Sequence, residues 1–161
     1  MGNATQWKSR IKNWTAIFFA SGFGSGFIPI APGTWGSAVG VGLVWRFWGD
    51  SIFIQFLWVL LLGVLGIWVS GVTCQYFKRQ DCQYIVIDEI VGLMITMIGI
   101  PITGYELVIG FLLFRFFDVV KPMPVNWVDR KLKNGFGVML DDVVAGIYGN
   151  LIMHLMMRAK L

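Results

Sequence analysis

The stretch 84–100, YIVIDEIVGLMITMIGI, is apolar except for Thr96 and two adjacent carboxylates, Asp88 and Glu89. Two other apolar stretches carry acids in the same way. Asp118 lies in FLLFRFFDVV (111–120), and Asp141-Asp142 lie in VMLDDVVAGIYGNLIM (138–153). An ionised carboxylate in hydrocarbon costs several kcal/mol, so such residues face one another, water or a cation, and mark function by default. Acids from three separate segments can build one cation-binding, phosphate-handling centre.

Composition places those stretches in a membrane. The chain has 161 residues, 57% of them hydrophobic, with a mean hydropathy of +0.70. That lies outside the range of soluble globular domains and predicts an all-α, polytopic membrane bundle forming one domain. Trp residues flank many of the apolar runs, as in an interfacial belt. The net charge of +4 is carried by basic residues between apolar runs, which excludes a nucleic-acid patch. Cys74 and Cys82 share a short basic loop without histidine, which points to thiols in a reducing compartment and not to a metal site or a disulfide. The N-terminal basic stretch leads into a Gly/Pro-broken segment, so no signal peptide is expected.

Residues 1–13 are expected to form a polar cytoplasmic tail. Residues 14–31, laced with Gly22, Gly24, Gly26 and Pro29, suit a re-entrant or interfacial segment better than a straight span. Residues 35–48 predict a short helix with Thr34 as N-cap. Spans are predicted at 52–73, 84–102, 105–120 and 138–157, giving four to five crossings in all. The linker 121–137 is polar, with a Pro-x-Pro break and a short amphipathic stretch. Lys8, Arg10, Lys12, Lys78, Arg79, Lys121, Arg130, Lys131 and Lys133 then share one side, which the positive-inside rule makes cytoplasmic. Arg158 and Lys160 break the pattern unless the last helix stops short of crossing. On this topology all five acids lie at similar depth, just beneath the cytoplasmic surface.

Ile-Asp-Glu-Ile-Val-Gly (87–92) and Leu-Asp-Asp-Val-Val-Ala-Gly (140–146) each place an acid pair between branched apolar residues, with a glycine soon after. Neighbouring helical positions differ by about 100°, so one acid of each pair can point inward while the other assists from the side. Hard oxygen donors without His or Cys suit Mg²⁺. The plainer reading is an acid pair favoured near a helix N-terminus. Arg115, Asp118 and Lys121 lie along one side of a helix end and suit phosphate oxygens; alternatively they balance charge or snorkel to headgroups. The Gly/Pro-rich loop 21–37 ends where a helix starts, and its free N–H groups with the Thr34 and Ser37 hydroxyls suit an anion. Its glycines equally suit packing, since Gly36-xxx-Gly40 is a small-xxx-small pattern. His154, the only histidine, reads as an interfacial side chain, which excludes a histidine-nucleophile phosphatase. Cys-x5-Arg and Asp-x-Asp nucleophile patterns do not occur.

Four motifs together, Pro-x-Ala-Pro-Gly-Thr-Trp-Gly-Ser (29–37), Ile-Asp-Glu-Ile-Val-Gly (87–92), Phe-Arg-Phe-Phe-Asp-x-x-Lys-Pro (114–122) and Asp-Asp-Val-Val-Ala-Gly (141–146), resemble the bacterial phosphatidylglycerophosphatase A family. The resemblance runs in order from about residue 15 to 155. It implies a multi-pass, Mg²⁺-dependent phosphatase of the cytoplasmic (inner) membrane. Such an enzyme converts phosphatidylglycerophosphate to phosphatidylglycerol, with a phospholipid as its partner. On this reading Asp88, Glu89, Asp141 and Asp142 hold the metal. Asp118, Asp142 and Asp88 carry the chemistry, with Asp118 as a further ligand or general base, and Asp118 or Asp142 as nucleophile if the route is covalent. Arg115, Lys121, Thr34 and Ser37 hold phosphate. The competing classes are a small cation or proton carrier, whose acids belong nearer the bilayer midplane, and a scaffold whose acids only neutralise Arg115 and Lys121.

Overall fold

The computed structural model describes residues 2–79, 82–121 and 135–159. Among them the regular elements are all helical: α1 (Gly2–Ala20), a 3-10 turn (Ser25–Phe27), α2 (Pro32–Phe47), α3 (Ile52–Phe77), α4 (Ile87–Thr96), α5 (Gly104–Val120) and α6 (Gly135–Ala159). Most of the polar linker 121–137 lies outside the described residues.

Each helix end has a local cause. Residues 2–13, expected within a polar tail, are helical, and α1 runs on from them to Ala20. The expected break falls at 22–24, where Gly22, Phe23 and Gly24 all take positive φ (53°, 60° and 95°). Left-handed backbone cannot continue a right-handed helix. Helix α2 starts at Pro32, which suits a first helical position because it has no N–H to leave unbonded. Its N-cap is Ala31 at φ 51°, so Thr34 is not the cap. It lies inside the first turn, its N–H bonded to the Ala31 carbonyl at 2.9 Å. Thr103 does cap α5, its hydroxyl accepting from Glu106 N.

The largest departure from expectation is α4. The apolar run 84–102 does not form one long helix; only ten residues are helical, about 15 Å of rise. A hydrocarbon core of ~30 Å needs twice that. Nine of those ten residues are buried, because α4 is the central element, packed on α2, α3, α5 and α6. A helix ending inside a bundle leaves carbonyls that need donors, and three neighbours supply them. Trp48 Nε1 donates to Met97 O at 3.1 Å. Asn150 Nδ2 donates to Thr96 O (3.1 Å) and Ile98 O (2.8 Å), with His154 Nε2 also 3.1 Å from Ile98 O. Buried Gln55 accepts from Gly99 N at 2.8 Å.

Glycines set how closely α4 is approached. A Cβ on Gly92 would stand 2.8 Å from the Asp142 carbonyl and 2.8 Å from Phe114 Cζ. One on Gly146 would meet Ile95 Cβ at 3.0 Å, and one on Gly149 would meet Thr96 Cγ2 at 2.9 Å. Gly40 lies as closely on Leu93 and Ile90, so the small-xxx-small pattern of α2 does pack against α4.

Among the described residues one helix, α3, is long and apolar enough to cross a membrane. At 26 residues it spans about 39 Å. Its outer surface is largely exposed, with Phe53 at 74% and Leu60 at 63%. Helix α5, at 17 residues, is shorter but exposes Val108, Leu112, Phe116 and Val119 on one face.

Replacing Gly92 by Ala is expected to cost about 1–3 kcal/mol, since the added methyl meets backbone that cannot step aside. Gly42→Ala, where a Cβ meets open space, is expected to cost nothing. Thermal unfolding of the two purified variants against the parent chain makes the comparison.

Candidate active site

Three helix segments bring the acids together. Asp88 and Glu89 occupy the first turn of α4, Asp118 the last turn of α5, and Asp141 and Asp142 lie along α6. The Gly92 seam fixes α6 against α4 one turn beyond Asp88. One carboxylate oxygen each from Asp88, Glu89 and Asp142 then lie within 4.8 Å of one another. Asp88 is 7% exposed and Asp142 4%. Glu89 Oε2 and Asp142 Oδ1 are buried and accept no hydrogen bond. Asp118 adjoins them, acting electrostatically on both Glu89 and Asp142.

The two cations stand at the rim. Arg115 Nη1 pairs with Asp118 Oδ2 at 2.6 Å, both partly exposed. Lys121 takes left-handed backbone (φ 45°) at the end of α5, and its Nζ reaches Asp141 Oδ2 at 2.8 Å. Asp141, expected among the metal ligands, is thus turned to Lys121 while its neighbour Asp142 enters the acid cluster. The 100° step between adjacent helical residues lets the two acids meet different partners. Without substrate, both cations neutralise carboxylates.

The start of α2 closes another side. Gly33 lies directly against the Glu89 carboxylate and the Arg115 guanidinium, and a Cβ there would overlap Glu89 Oε1 and stand 3.1 Å from Arg115 Nη1. Thr34 follows, partly exposed. Ser37 is fully buried, and its hydroxyl donates to Gly33 O at 2.8 Å, tying the first turn from behind. Gly33 was not among the expected site residues. Its signal was the Ala-Pro-Gly-Thr sequence itself, where a helix starts with no side chain at the second position.

Close-packed carboxylates repel unless a cation or protons intervene. Here the donors are all oxygen, two of them are buried without partners, and the cluster is small enough for one ion to touch all three residues. That donor set fits a hard divalent cation.

A profile of the phosphatidylglycerophosphatase A family matches residues 18–157. The chain belongs to the phosphatidylglycerophosphatase A family. A phosphatidylglycerophosphatase A of Haemophilus influenzae is 42% identical over 137 residues, covering 83% of each chain. That of Escherichia coli is 37% identical over 148 residues, covering 87% of this chain and 83% of its own. A Bacteroides thetaiotaomicron chain provisionally named as a phosphatidylinositol-3-phosphatase is 36% identical over 141 residues, 82% of this chain and 87% of that one. No solved structure matches. The family match covers all four site segments: the α2 start, α4, the end of α5 and the acid pair of α6.

Glu89 and Arg115 have flexible ends, so a methyl at Gly33 displaces them without breaking the fold. Gly33→Ala is therefore expected to lower lipid phosphomonoesterase activity about 10- to 100-fold with little change in the unfolding temperature. Parallel activity and melting measurements on the purified variant read both halves.

Proposed function

We propose that this chain hydrolyses the terminal phosphomonoester of phosphatidylglycerophosphate, yielding phosphatidylglycerol and phosphate in phospholipid biosynthesis, with Mg²⁺ at the Asp88–Glu89–Asp142 cluster. The observation that carries the reading is the convergence of those three carboxylates, with Asp88 and Asp142 buried, beside two cations that face acids. The family assignment names the phosphatase class. A purely scaffolding role leaves the partnerless oxygens of Glu89 and Asp142 without a purpose.

Bound there, Mg²⁺ would polarise the phosphoryl group and acidify a water molecule. The remaining work falls to the chain. Arg115 and Lys121 exchange their carboxylate partners for phosphate oxygens, holding the anion by charge-assisted hydrogen bonds. Releasing Arg115 frees Asp118 to accept the proton of the attacking water. The water oxygen bonds to phosphorus as the ester P–O bond breaks, and the departing alkoxide takes up a proton. The Gly33 N–H would donate to the same anion, the Thr34 N–H being bonded to Ala31 O, and Ser37 keeps that turn in shape. A covalent variant places Asp118 or Asp142 as nucleophile. Acid quenching during turnover of radiolabelled substrate separates the two: the covalent route leaves phosphate on the protein as an acyl phosphate, and the water route leaves none.

The setting suits a lipid. Besides α3, helix α5 turns Val108, Leu112, Phe116 and Val119 outward, and α6 turns Ile147, Leu151 and Leu155 outward. Exposed apolar faces of that extent belong against a bilayer or another protein. We read them as lipid-facing surfaces of a multi-pass protein of the bacterial inner membrane, with the N-terminus and the site towards the cytoplasm.

Purified protein in detergent is expected to release phosphate from phosphatidylglycerophosphate only with Mg²⁺, and faster than from phosphatidylinositol 3-phosphate. Asp88→Asn and Asp142→Asn are expected to lose about 10³-fold or more. Mg²⁺ is also expected to raise the melting temperature of the parent chain and not of Asp142→Asn, as ligand linkage requires. Unchanged hydrolysis under chelation, or in either variant, removes the proposed centre.

A further inference from the structure

The first turns of α1 have no part in the site, yet they carry an ordered pattern. Trp7, Ile11, Trp14 and Phe18 recur at helical spacing and fall within an arc of about 60°. They are 64%, 50%, 59% and 50% exposed. The opposite side of the same helix holds Ala16, Ile17 and Ala20, all buried where α1 packs along α3. The exposed stripe is therefore a second face, not the one that holds the helix in the fold. Lys8 and Lys12 flank it on one side and Arg10 on the other, all three exposed.

The position of this stripe is fixed by α3. Trp14 packs against Tyr76, with ring centroids 6.4 Å apart, and Tyr76 is one residue from the end of α3. Ala16 and Ala20 share a core cluster with Val69, further back along α3, so the two helices run antiparallel. Residues before Trp14 consequently project past the end of α3, by about 10 Å back to Trp7. Lys78 and Arg79 follow α3 at that same end.

We propose that the α1 extension, standing beyond the end of α3, reaches into an anionic lipid headgroup layer with its Trp7–Ile11–Trp14 edge. The proposal rests on the reading of α3 as a membrane span. Trp and Phe on one face suit the headgroup–acyl boundary. Lys8, Arg10 and Lys12 on its flanks, with Lys78 and Arg79 beside them, supply attraction to anionic lipid. A second copy of the chain, stripe against stripe, would bring these same cations together and is disfavoured by their repulsion. The docked helix holds the mouth of the bundle against the leaflet that offers an anionic substrate.

The test uses the full chain reconstituted in vesicles of phosphatidylcholine, or of phosphatidylcholine with roughly one third phosphatidylserine. Lipids brominated near the carbonyl quench nearby Trp, and the contribution of Trp7 is the difference between the parent chain and Trp7→Phe. That contribution is expected to be quenched about twofold more in the anionic vesicles. In the combined Lys8→Gln, Arg10→Gln and Lys12→Gln variant it is expected to stay at the neutral-vesicle level. Trp7 unquenched in both lipids, or quenched alike in parent and triple variant, overturns the proposal. So does energy transfer between labelled copies that is lost on Ile11→Arg, since a second chain then covers the stripe. The quenching needs no turnover, so failure of the catalytic reading leaves this test intact.

Discussion

Like charge held in a space the size of one ion governs this structure. Asp88, Glu89 and Asp142 bring ligand atoms within 4.8 Å of one another inside a bundle whose core clusters are apolar. Such an arrangement is costly in the empty fold, and the rest of the chain is built to withstand it. Glycines at 92, 146 and 149 press α6 onto α4 so tightly that the acids cannot separate. Two ion pairs at the rim, Arg115 with Asp118 and Lys121 with Asp141, reduce the excess negative charge without entering the cluster.

The shortness of α4 serves the same end. A helix over the whole run 84–102 would extend past both ends of the one observed. Instead α4 begins and ends within the bundle, and its acids start deep, against the Gly33 turn of α2. The cost appears at its other end, where carbonyls from Thr96 to Ile98 need donors. Trp48 and Asn150 provide them, and Gln55 accepts the following Gly99 N–H. These three side chains touch no acid, yet they let the acid-bearing helix stop where it does.

What the sequence disclosed, and what it hid, follows from the range of each interaction. Carboxylates in apolar stretches are conspicuous, and their convergence could be inferred because no other disposition is affordable in hydrocarbon. Helix α3 was legible in the same way, from length and hydropathy. The end of α4 was not, because the residues past it, Met97-Ile98-Gly99-Ile100, are as apolar as the helix. The informative signal lay far away in sequence, in Gln55 and Asn150, polar residues set in apolar stretches of α3 and α6. The choice between Asp141 and Asp142 was equally hidden, since the pairing of Asp141 with Lys121 joins residues twenty positions apart across the polar linker. The helicity of residues 2–13 was not legible, because the basic residues mask the apolar spacing between them.

Charge also bears on how a phosphate can enter. Five carboxylates face two cations among the described residues, so a fully ionised site carries three negative charges. On the proposed reading one divalent ion would leave it at minus one, and a phosphomonoester dianion would still be repelled. The N–H groups at the start of α2 offset part of this, about half a charge for a helix terminus. The remainder must come from protons retained on the buried acids or from a second divalent ion. The two differ in how binding depends on conditions. Retained protons make phosphate affinity fall as pH rises, whereas a second ion makes it rise with Mg²⁺ beyond the level that saturates the first. Either way, substrate and counter-charge arrive together, because an acid cluster this compact tolerates an anion only when its own repulsion has been quenched.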